Sequence, residues 1–265
     1  MWYNWHKIMT VNIQVKCGLC NRLRAITSAR HLVKGSAHRL QIWWKTDNEM
    51  NVRFTDLFTF DDTCGFELHE GLCAKLASPL LFRAHNPRWF DPGRTGEFVQ
   101  CYRRGGMRSI WLSTYSKFMD GSDYSWLRPR PDITQEIARL DANFGPDRIG
   151  LHIRRTDNAK AISRSPDELF LRKIENLLKA DPLQKFFLAT DSESVKERFV
   201  RTFGACIQTR TAVAKRASAG GVRDAVIDLM LLAACKKLYG SYWSSFSEVA
   251  AEIGGIELEQ LVKSQ

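Results

Sequence analysis

The chain has 265 residues, a length that allows either one large domain or two of ordinary size. Hydrophobic residues make up 44% of it, enough for a buried core, which excludes an intrinsically disordered chain. Lys and Arg outnumber Asp and Glu by 39 to 29, and the formal net charge of +10 suits an anionic partner such as a nucleotide, or ordinary solubility.

Signals for membranes, secretion and metals are weak. No apolar run approaches the roughly 20 residues of a membrane span, and the segment from Met1 to Asn12 lacks the apolar centre of a signal peptide. The seven cysteines favour reduced thiols over a disulfide framework. Cys17 and Cys20 have zinc-ligand spacing, but a second close pair is missing because Cys64 and Cys73 lie nine apart. We expect a soluble, cytoplasmic protein with no membrane span, no metal and no cofactor.

The N-terminal segment predicts a βαβ unit. Its elements are a strand from Val11 to Lys16, a helix capped by Asn21 and ending near Gly35, and a strand from His38 to Trp44. The first loop carries Gly18, Asn21 and Arg22, and this loop is a candidate for ligand binding.

The next part of the chain, from Asn51 to Leu140, has weak periodicity and many turn residues. Its loops suit either a second substrate or irregular packing between two halves. Arg128-Pro129-Arg130-Pro131 is the best candidate linker, since two prolines interrupt regular structure.

The segment from Arg148 to Asp157 begins as an apolar strand and ends in charge. Its isoleucines and leucine fall on one face of an extended chain, so His152 and Arg154 share the other. Ligands of open α/β sheets bind beyond the carboxyl ends of the strands, where a guanidinium can hold two phosphate oxygens. The segment therefore predicts an anion site. The alternative is a strand end whose arginines pair with Asp157 and solvent.

Alternating elements follow to the C-terminus. They are a helix with a capping box at Ser165 to Glu168 and an end near Lys179, a strand from Lys185 to Thr190, a helix from Asp191 to Gly204, an apolar helix from Ala225 to Leu238, a strand from Leu238 to Tyr242 and a helix from about Phe246. Asp228 falls inside the apolar helix, a costly place for an unpartnered carboxylate. Ser244 and Ser245 precede the last helix, where they can bind phosphate or serve only as a cap.

Four blocks in this half resemble a known family. They are Ile149-Gly150-Leu151-His152-Ile153-Arg154-Arg155-Thr156-Asp157, Phe187-Leu188-Ala189-Thr190-Asp191, Val226-Ile227-Asp228-Leu229 and Tyr242-Trp243-Ser244-Ser245. In order and spacing they resemble motifs of the α1,6-fucosyltransferases, the group that includes the enzymes of N-glycan core fucosylation and Nod-factor fucosylation. The loop Gly18-Leu19-Cys20-Asn21-Arg22-Leu23 also resembles a glycine-rich loop of related enzymes, with Cys20 where glycine is usual.

The resemblance implies a GT-B-like α/β fold, with two Rossmann-like domains facing a central cleft. We expect an N-terminal, acceptor-side domain at 1–140 and a nucleotide-sugar-binding domain at 141–265. It also implies an inverting, metal-independent transferase that moves fucose from GDP-fucose to a carbohydrate acceptor. Arg154 matches the arginine at the donor diphosphate and is the expected catalytic residue. The remaining donor-binding residues are expected to be His152, Arg216, Asp228, Ser244, Ser245, Asp191, Gly18, Asn21 and Arg22.

Two positions depart from the family pattern. Ser245 stands where a family member has glutamine, and Ala161 and Ile162 stand where the core-fucosylation enzyme has a glutamate thought to deprotonate the acceptor. The base could instead be Asp91 or Glu97, or no strong base is needed. The alternatives are an inactive module that binds GDP-sugars or glycans, a transferase for another GDP-sugar, and a basic nucleic-acid binder with steeply salt-dependent affinity. We expect no nucleic-acid partner.

Overall fold

The computed structural model describes residues 8–72, 74, 89–156, 159–210 and 218–263. The chain forms two compact units, Met1–Arg128 and Pro129–Gln265. The first residue of the second unit lies within the Arg128-Pro129-Arg130-Pro131 stretch that sequence composition favours as a linker. The unit boundary therefore precedes the expected boundary at residue 140, because the helix Pro131–Phe144 packs with the second unit.

Unit 1 is a parallel α/β sheet. Its strands are β1 (Thr10–Val15), β2 (Arg39–Trp44), β3 (Glu67–Glu70), β4 (Trp89–Phe90) and β5 (Ser109–Thr114), with helices α1 (Leu19–Val33) and α2 (Thr95–Arg104) and short 3₁₀ turns at Phe54–Asp56, Asp62–Cys64 and Pro92–Arg94. The strand order is β3-β2-β1-β5-β4. All the pairings are parallel, and β1 and β5 run in register from Thr10 opposite Ser109.

Unit 2 repeats this architecture. Its helices are α3 (Pro131–Phe144), α4 (Ala159–Arg164), α5 (Asp167–Ala180), α6 (Glu193–Phe203), α7 (Ala219–Ala233) and α8 (Ser245–Gly254), and its strands are β6 (Arg148–Ile153), β7 (Lys185–Thr190), β8 (Ile207–Gln208), β9 (Lys237–Ser241) and β10 (Glu257–Leu261). A 3₁₀ turn, Gly204–Cys206, leads into β8. The order β10-β9-β6-β7-β8 is again wholly parallel, which confirms the predicted α/β class.

Both units reverse the direction of strand addition beside their first strand. After β6, the chain adds β7 and β8 on one side and then returns to place β9 on the other. Unit 1 does the same around β1, with β5 on the second side. Ligands of open α/β sheets bind at such switch points, so the carboxyl ends of β6 and β9 are where unit 2 is expected to bind one.

The core of unit 2 explains why β6 is central. Every residue of β6 is buried, and its apolar face packs with Phe170, Phe186 and Phe199 from neighbouring elements. Burying aliphatic and aromatic side chains contributes roughly 1.5–3 kcal/mol each. The opposite face of β6 is therefore held rigidly where its polar residues emerge.

Several predicted helix boundaries are wrong. Asn21 does not cap α1, because the helix begins at Leu19 with Gly18 as N-cap. Ser165 does not cap α5, since its hydroxyl donates to the Leu261 carbonyl and accepts from the Tyr242 amide. The helix expected at Ala225 to Leu238 spans Ala219–Ala233, because a serine cap at Ser218 starts it earlier.

The cysteines that the structure describes form no disulfide bond. Cys17, Cys20, Cys64, Cys101, Cys206 and Cys235 are free thiols. Across the residues that the structure describes, no helix has both the length and the apolar character needed to cross a membrane.

Candidate active site

The candidate site lies at the carboxyl ends of β6 and β9, where His152 pairs in register with Gly240. The His152 side chain is only 8% exposed. Its Nδ1 hydrogen-bonds the Ser247 hydroxyl at 2.8 Å and lies 3.4 Å from that of Ser244, while the ring stacks on Phe246 at 4.7 Å. The first turn of α8 thus fixes the imidazole in one orientation.

A strained turn leads into this helix. Trp243 has φ 52°, a left-handed conformation that is rare for a bulky side chain. Ser244 is the N-cap of α8 but makes no side-chain cap bond, since its hydroxyl faces His152. The first backbone N–H groups of α8 therefore have no acceptor in the Ser244 side chain. The helix dipole favours a negatively charged acceptor at this position. Ser245, the first helical residue, is half-buried beside them.

Arg154 follows β6 directly. Its amide donates to the Ser241 hydroxyl at 3.1 Å, and Ser241 donates in turn to the His152 carbonyl at 3.3 Å. This serine therefore joins the ends of β6 and β9. The side chain of Arg154 is half-buried at the edge where ligands of such sheets bind.

The Arg155 guanidinium is bound within the protein. It donates to Asp167 and to the carbonyls of Ser165 and Arg154 at 2.6 to 2.8 Å. Its amide donates to Asp191 at 2.7 Å. Arg155 therefore braces the segment that follows β6. Asp157 lies outside the described residues.

Asp191, predicted to bind the donor, anchors the loop after β6. It accepts hydrogen bonds from the amides of Arg155 and Thr156 and from the Thr156 hydroxyl. Burial acts to raise the pKa of Asp191, but these hydrogen bonds and His152 lower it on balance. Its carboxylate is an internal partner of the loop that carries Arg154.

Asp228 is buried on α7 and pairs with Arg210 at 3.3 Å. Arg210 also donates to the Asp224 carboxylate at 2.6 Å, and Lys196 contributes a further positive charge nearby. Burial raises the pKa of the Asp228 carboxyl to about 6, even though Arg210 acts to lower it. Sequence reasoning missed Arg210, whose only signal was its position just after β8 at the same carboxyl edge.

Arg22, one of the predicted donor-binding residues of unit 1, is held by contacts within the protein. Arg22 is fully buried: it donates to the carbonyls of Cys17 and Lys45, pairs with Asp47 at 2.9 Å and lies over Trp44. Burial lowers the pKa of Arg22, with Asp47 opposing. Its contacts make it a brace for the loop.

The other members of this loop are better placed for a ligand. Asn21 lies half-buried in the first turn of α1. Cys17 has φ 64°, the same left-handed conformation that Trp243 has in unit 2. A Cβ added at Gly18 would meet no described atom within 4 Å, so nothing inside the described part of the protein requires glycine there. Arg216 lies outside the described residues.

Both candidate bases make contacts with residues of their own segment. Asp91 accepts the Gly93 amide at 3.0 Å, and Glu97 pairs with Arg94 at 2.6 Å. The hydrogen bond from Arg94 lowers the pKa of Glu97, which is opposite to what a general base requires. Ala161 is buried and Ile162 is partly exposed on α4.

Comparison with solved structures identifies the fold. The NodZ α-1,6-fucosyltransferase, in a crystal soaked with GDP-fucose, matches with a TM-score of 0.67 and 20% identity over 93% of each chain. The selenomethionine form of NodZ from Bradyrhizobium gives 0.66. This chain has the GT-B fold of those fucosyltransferases.

More distant structures share this fucosyltransferase fold. A mutant of Arabidopsis thaliana FUT1 in complex with GDP matches with a TM-score of 0.65 and 14% identity, over 97% of this chain and 71% of that one. POFUT1 in complex with GDP matches at 0.60 and 11% identity over 97% and 99%. No family profile and no curated protein sequence matches the chain.

Proposed function

We propose that the protein is an inverting glycosyltransferase that moves fucose from GDP-fucose to a carbohydrate acceptor. The acceptor hydroxyl oxygen bonds to C1 of fucose as the bond from C1 to the β-phosphate oxygen breaks. The electron pair of that bond leaves with GDP, and the hydroxyl proton passes to a base or to solvent. Unit 2 would bind the nucleotide sugar. The acceptor role of unit 1 stays a prediction.

The arrangement at the β6–β9 switch point carries this proposal. There the Arg154 amide donates to Ser241, the last residue of β9, and the helix that follows β9 begins with amides that lack a side-chain cap, in a chain with the GT-B fold. A diphosphate that gains charge as the sugar leaves would be neutralised by the Arg154 guanidinium and these amides together. Such preorganised donors commonly contribute about 3 to 4 kcal/mol to a transition state.

Asp228 supports guanine as the nucleobase of the donor. A buried, ionised carboxylate can accept hydrogen bonds from both N1–H and the exocyclic amine of guanine, whereas uracil has no such pair of donors. Arg210, which also pairs with Asp224, would hold Asp228 in place. His152, held by Ser247, would present its other ring nitrogen towards the same nucleotide.

One observation favours a second candidate, a module that binds GDP-sugars without turning them over. The position of the family glutamate falls on the buried Ala161 and the apolar Ile162, and Asp91 and Glu97 are engaged elsewhere. Transfer requires either a base outside these residues or a transition state in which bond breaking runs far ahead of attack.

Calorimetric titration with GDP, inosine diphosphate, ADP and UDP tests the nucleotide assignment. We expect GDP to bind at least about tenfold more tightly than ADP or UDP, a difference of about 1.4 kcal/mol. Inosine diphosphate lacks only the exocyclic amine, so it is the matched control for Asp228. The difference between GDP and inosine diphosphate should shrink in Asp228→Asn. Equal affinity for GDP, ADP and UDP would contradict the proposal.

A further inference from the structure

Trp243 is a large aromatic residue displayed at the edge of the candidate site. Its side chain is 59% exposed, although it lies in the short turn between β9 and α8. The residues on both sides are fixed, because Tyr242 donates its amide to Ser165 and Ser244 contacts His152. With φ 52° the backbone of Trp243 is strained, and such strain persists where the surroundings enforce it, often at ligand sites.

Two cations from α4 lie over this aromatic turn. The Lys160 ammonium lies 4.4 Å from the centre of the Trp243 ring, and the Arg164 guanidinium lies 5.4 Å from that of Tyr242. A ring face attracts a cation but does not cancel its charge. Lys160 is exposed, so it keeps a net positive charge that a ligand can reach.

The carboxylates that follow α4 do not neutralise these cations. Asp167 pairs with Arg155 and Arg198, and Glu168 pairs with Arg198. The helix itself contains no acidic residue. The surface formed by Lys160 and Trp243 is thus an exposed indole ring with a positive charge over one of its faces.

We propose that Lys160 and Trp243 form a subsite for an acceptor sugar that carries an anionic substituent, a carboxylate or a sulfate. The C–H face of the sugar ring stacks on the indole, and the anionic group pairs with the Lys160 ammonium. This inference rests on the proposed function and deepens it, since it names the class of acceptor.

The position of the subsite fits such a role. Trp243 directly precedes Ser244 and the uncapped start of α8, where the donor diphosphate is proposed to bind. Two residues earlier, Ser241 holds the amide of Arg154. A sugar stacked on the indole therefore lies beside the leaving group.

The test is a titration followed by saturation-transfer NMR, with and without saturating GDP. The three probes are a disaccharide ending in glucuronic acid, its counterpart ending in 6-sulfated glucose, and the neutral parent ending in glucose. We expect at least one acidic probe to bind about tenfold more tightly than the neutral parent. The ratio between the two acidic probes identifies the substituent.

Variants separate the two contacts. Lys160→Met keeps the apolar stem and should abolish the preference for acidic probes, while Trp243→Ala should weaken all three probes about tenfold. Trp243→Phe should retain most of the affinity. Lys179→Met, on an exposed position of α5, is the matched control for loss of one positive charge and should change nothing.

Two results would overturn the subsite: equal binding of neutral and acidic probes by the unaltered protein, including no binding of either, or full affinity in Trp243→Ala. Failure of GDP to bind in the same samples would instead contradict the proposed function. In that case, the affinities of the sugar probes measured without GDP test the subsite separately.

Discussion

Two consecutive arginines at the end of β6 have different surroundings, and so different expected roles. Arg155 uses its guanidinium on Asp167 and on two backbone carbonyls. Arg154 is anchored through its backbone amide, which donates to Ser241, and its side chain lies half-buried at the edge of the sheet. The pair is an internal comparison of a proposed catalytic residue with a structural one.

Arg154→Lys should lose most of its turnover while remaining folded. Lysine keeps the charge but lacks the planar fork that meets two phosphate oxygens at once. We expect kcat to fall by roughly 10²-fold or more, similar to the loss of one preorganised donor. Steady-state kinetics and thermal unfolding of the same samples give the comparison.

Arg155→Lys is the matched control. A lysine cannot reach Asp167 and both carbonyls in this geometry, so the cost should appear as roughly 1–3 kcal/mol of stability. Turnover at a temperature where the variant is folded should fall less than in Arg154→Lys. If Arg155→Lys abolishes turnover without loss of stability and Arg154→Lys does not, the site built on His152 and Arg154 is wrong.

The raised pKa of Asp228 predicts that the stability of the folded protein depends on pH. Burial raises the pKa of its carboxyl from 3.8 to about 6 in the folded protein, with Arg210 and Lys196 opposing and Asp224 adding to the rise. The folded state then binds the proton more tightly than the unfolded chain. This stabilising contribution is complete below pH 4 and is lost as the pH rises through 6. At about 1.4 kcal/mol per pKa unit, the loss is about 3 kcal/mol.

Asp228→Asn removes this titration. Its unfolding free energy relative to the unaltered protein should therefore rise between pH 4 and pH 7 by up to about 3 kcal/mol and then level off. Urea unfolding of both proteins at pH 4.5, 6 and 7.5 measures the difference. A difference that stays constant across this range would show that Asp228 is not held in the environment described.

Secondary-structure elements meet closely where α8 crosses β9, and Gly240 makes this possible. A Cβ at Gly240 would come 2.5 Å from the Ser247 hydroxyl oxygen and 2.8 Å from the Ser247 Cβ. Ser247 also holds His152, so the helix could not shift without disturbing the imidazole.

Gly240→Ala should therefore destabilise the protein by about 1–3 kcal/mol, the usual cost of overpacking. Gly18→Ala is its control at the corresponding edge of unit 1, since nothing described lies within 4 Å of the added methyl group. That variant should lose less than about 1 kcal/mol, because it changes only the N-cap residue of α1. Equal losses in denaturant unfolding would contradict the packing argument.

Elements defined by local signals were predictable from the sequence. Lys185–Thr190 is a strand with the predicted bounds, and Ser192 and Gly204 cap α6 at its two ends. β5 was missed, although it pairs with β1 at the centre of its sheet, because its flanking serine and threonine residues obscure the apolar pattern. Its burial is decided by the partner strand and not by local sequence.

The candidate site was predictable only where its residues are close together in the sequence. His152 lies near the end of β6 and Arg154 directly follows that strand, so their spacing of two residues predicts that they lie on the same side of the chain. The internal contacts of Arg22 and Ser165 could not be predicted, because their partners lie far along the chain, at Asp47 and Tyr242. Arg210 pairs with Asp228 across 18 residues, and its position just after the short strand β8 was too weak a signal to predict this pair.

At the scale of the whole molecule, each unit is a parallel sheet with a switch point beside its first strand. Non-glycine residues with positive φ occur in the turns that leave these switch points, Cys17 after β1 and Trp243 after β9. The same device therefore appears in both units. It directs the start of a helix, and its free amides, towards the edge where parallel sheets bind ligands.

The excess of positive charge is consistent with an anionic nucleotide sugar and does not require a nucleic acid. Arg154 and the start of α8 are proposed to carry the charge of the diphosphate that a bound metal carries in other transferases. Transfer should then proceed in excess EDTA, and restoration of a lost activity by manganese would contradict this metal-independent mechanism.

The most direct test follows labelled fucose from GDP-fucose onto a pool of neutral and acidic oligosaccharides in the presence of EDTA. The account predicts that GDP and labelled glycan form in equal amounts, and that Arg154→Lys reduces both by roughly 10²-fold. Tight binding of GDP-fucose by the unaltered protein, with no labelled glycan formed from any acceptor in the pool, would contradict it and identify the chain as a binding module.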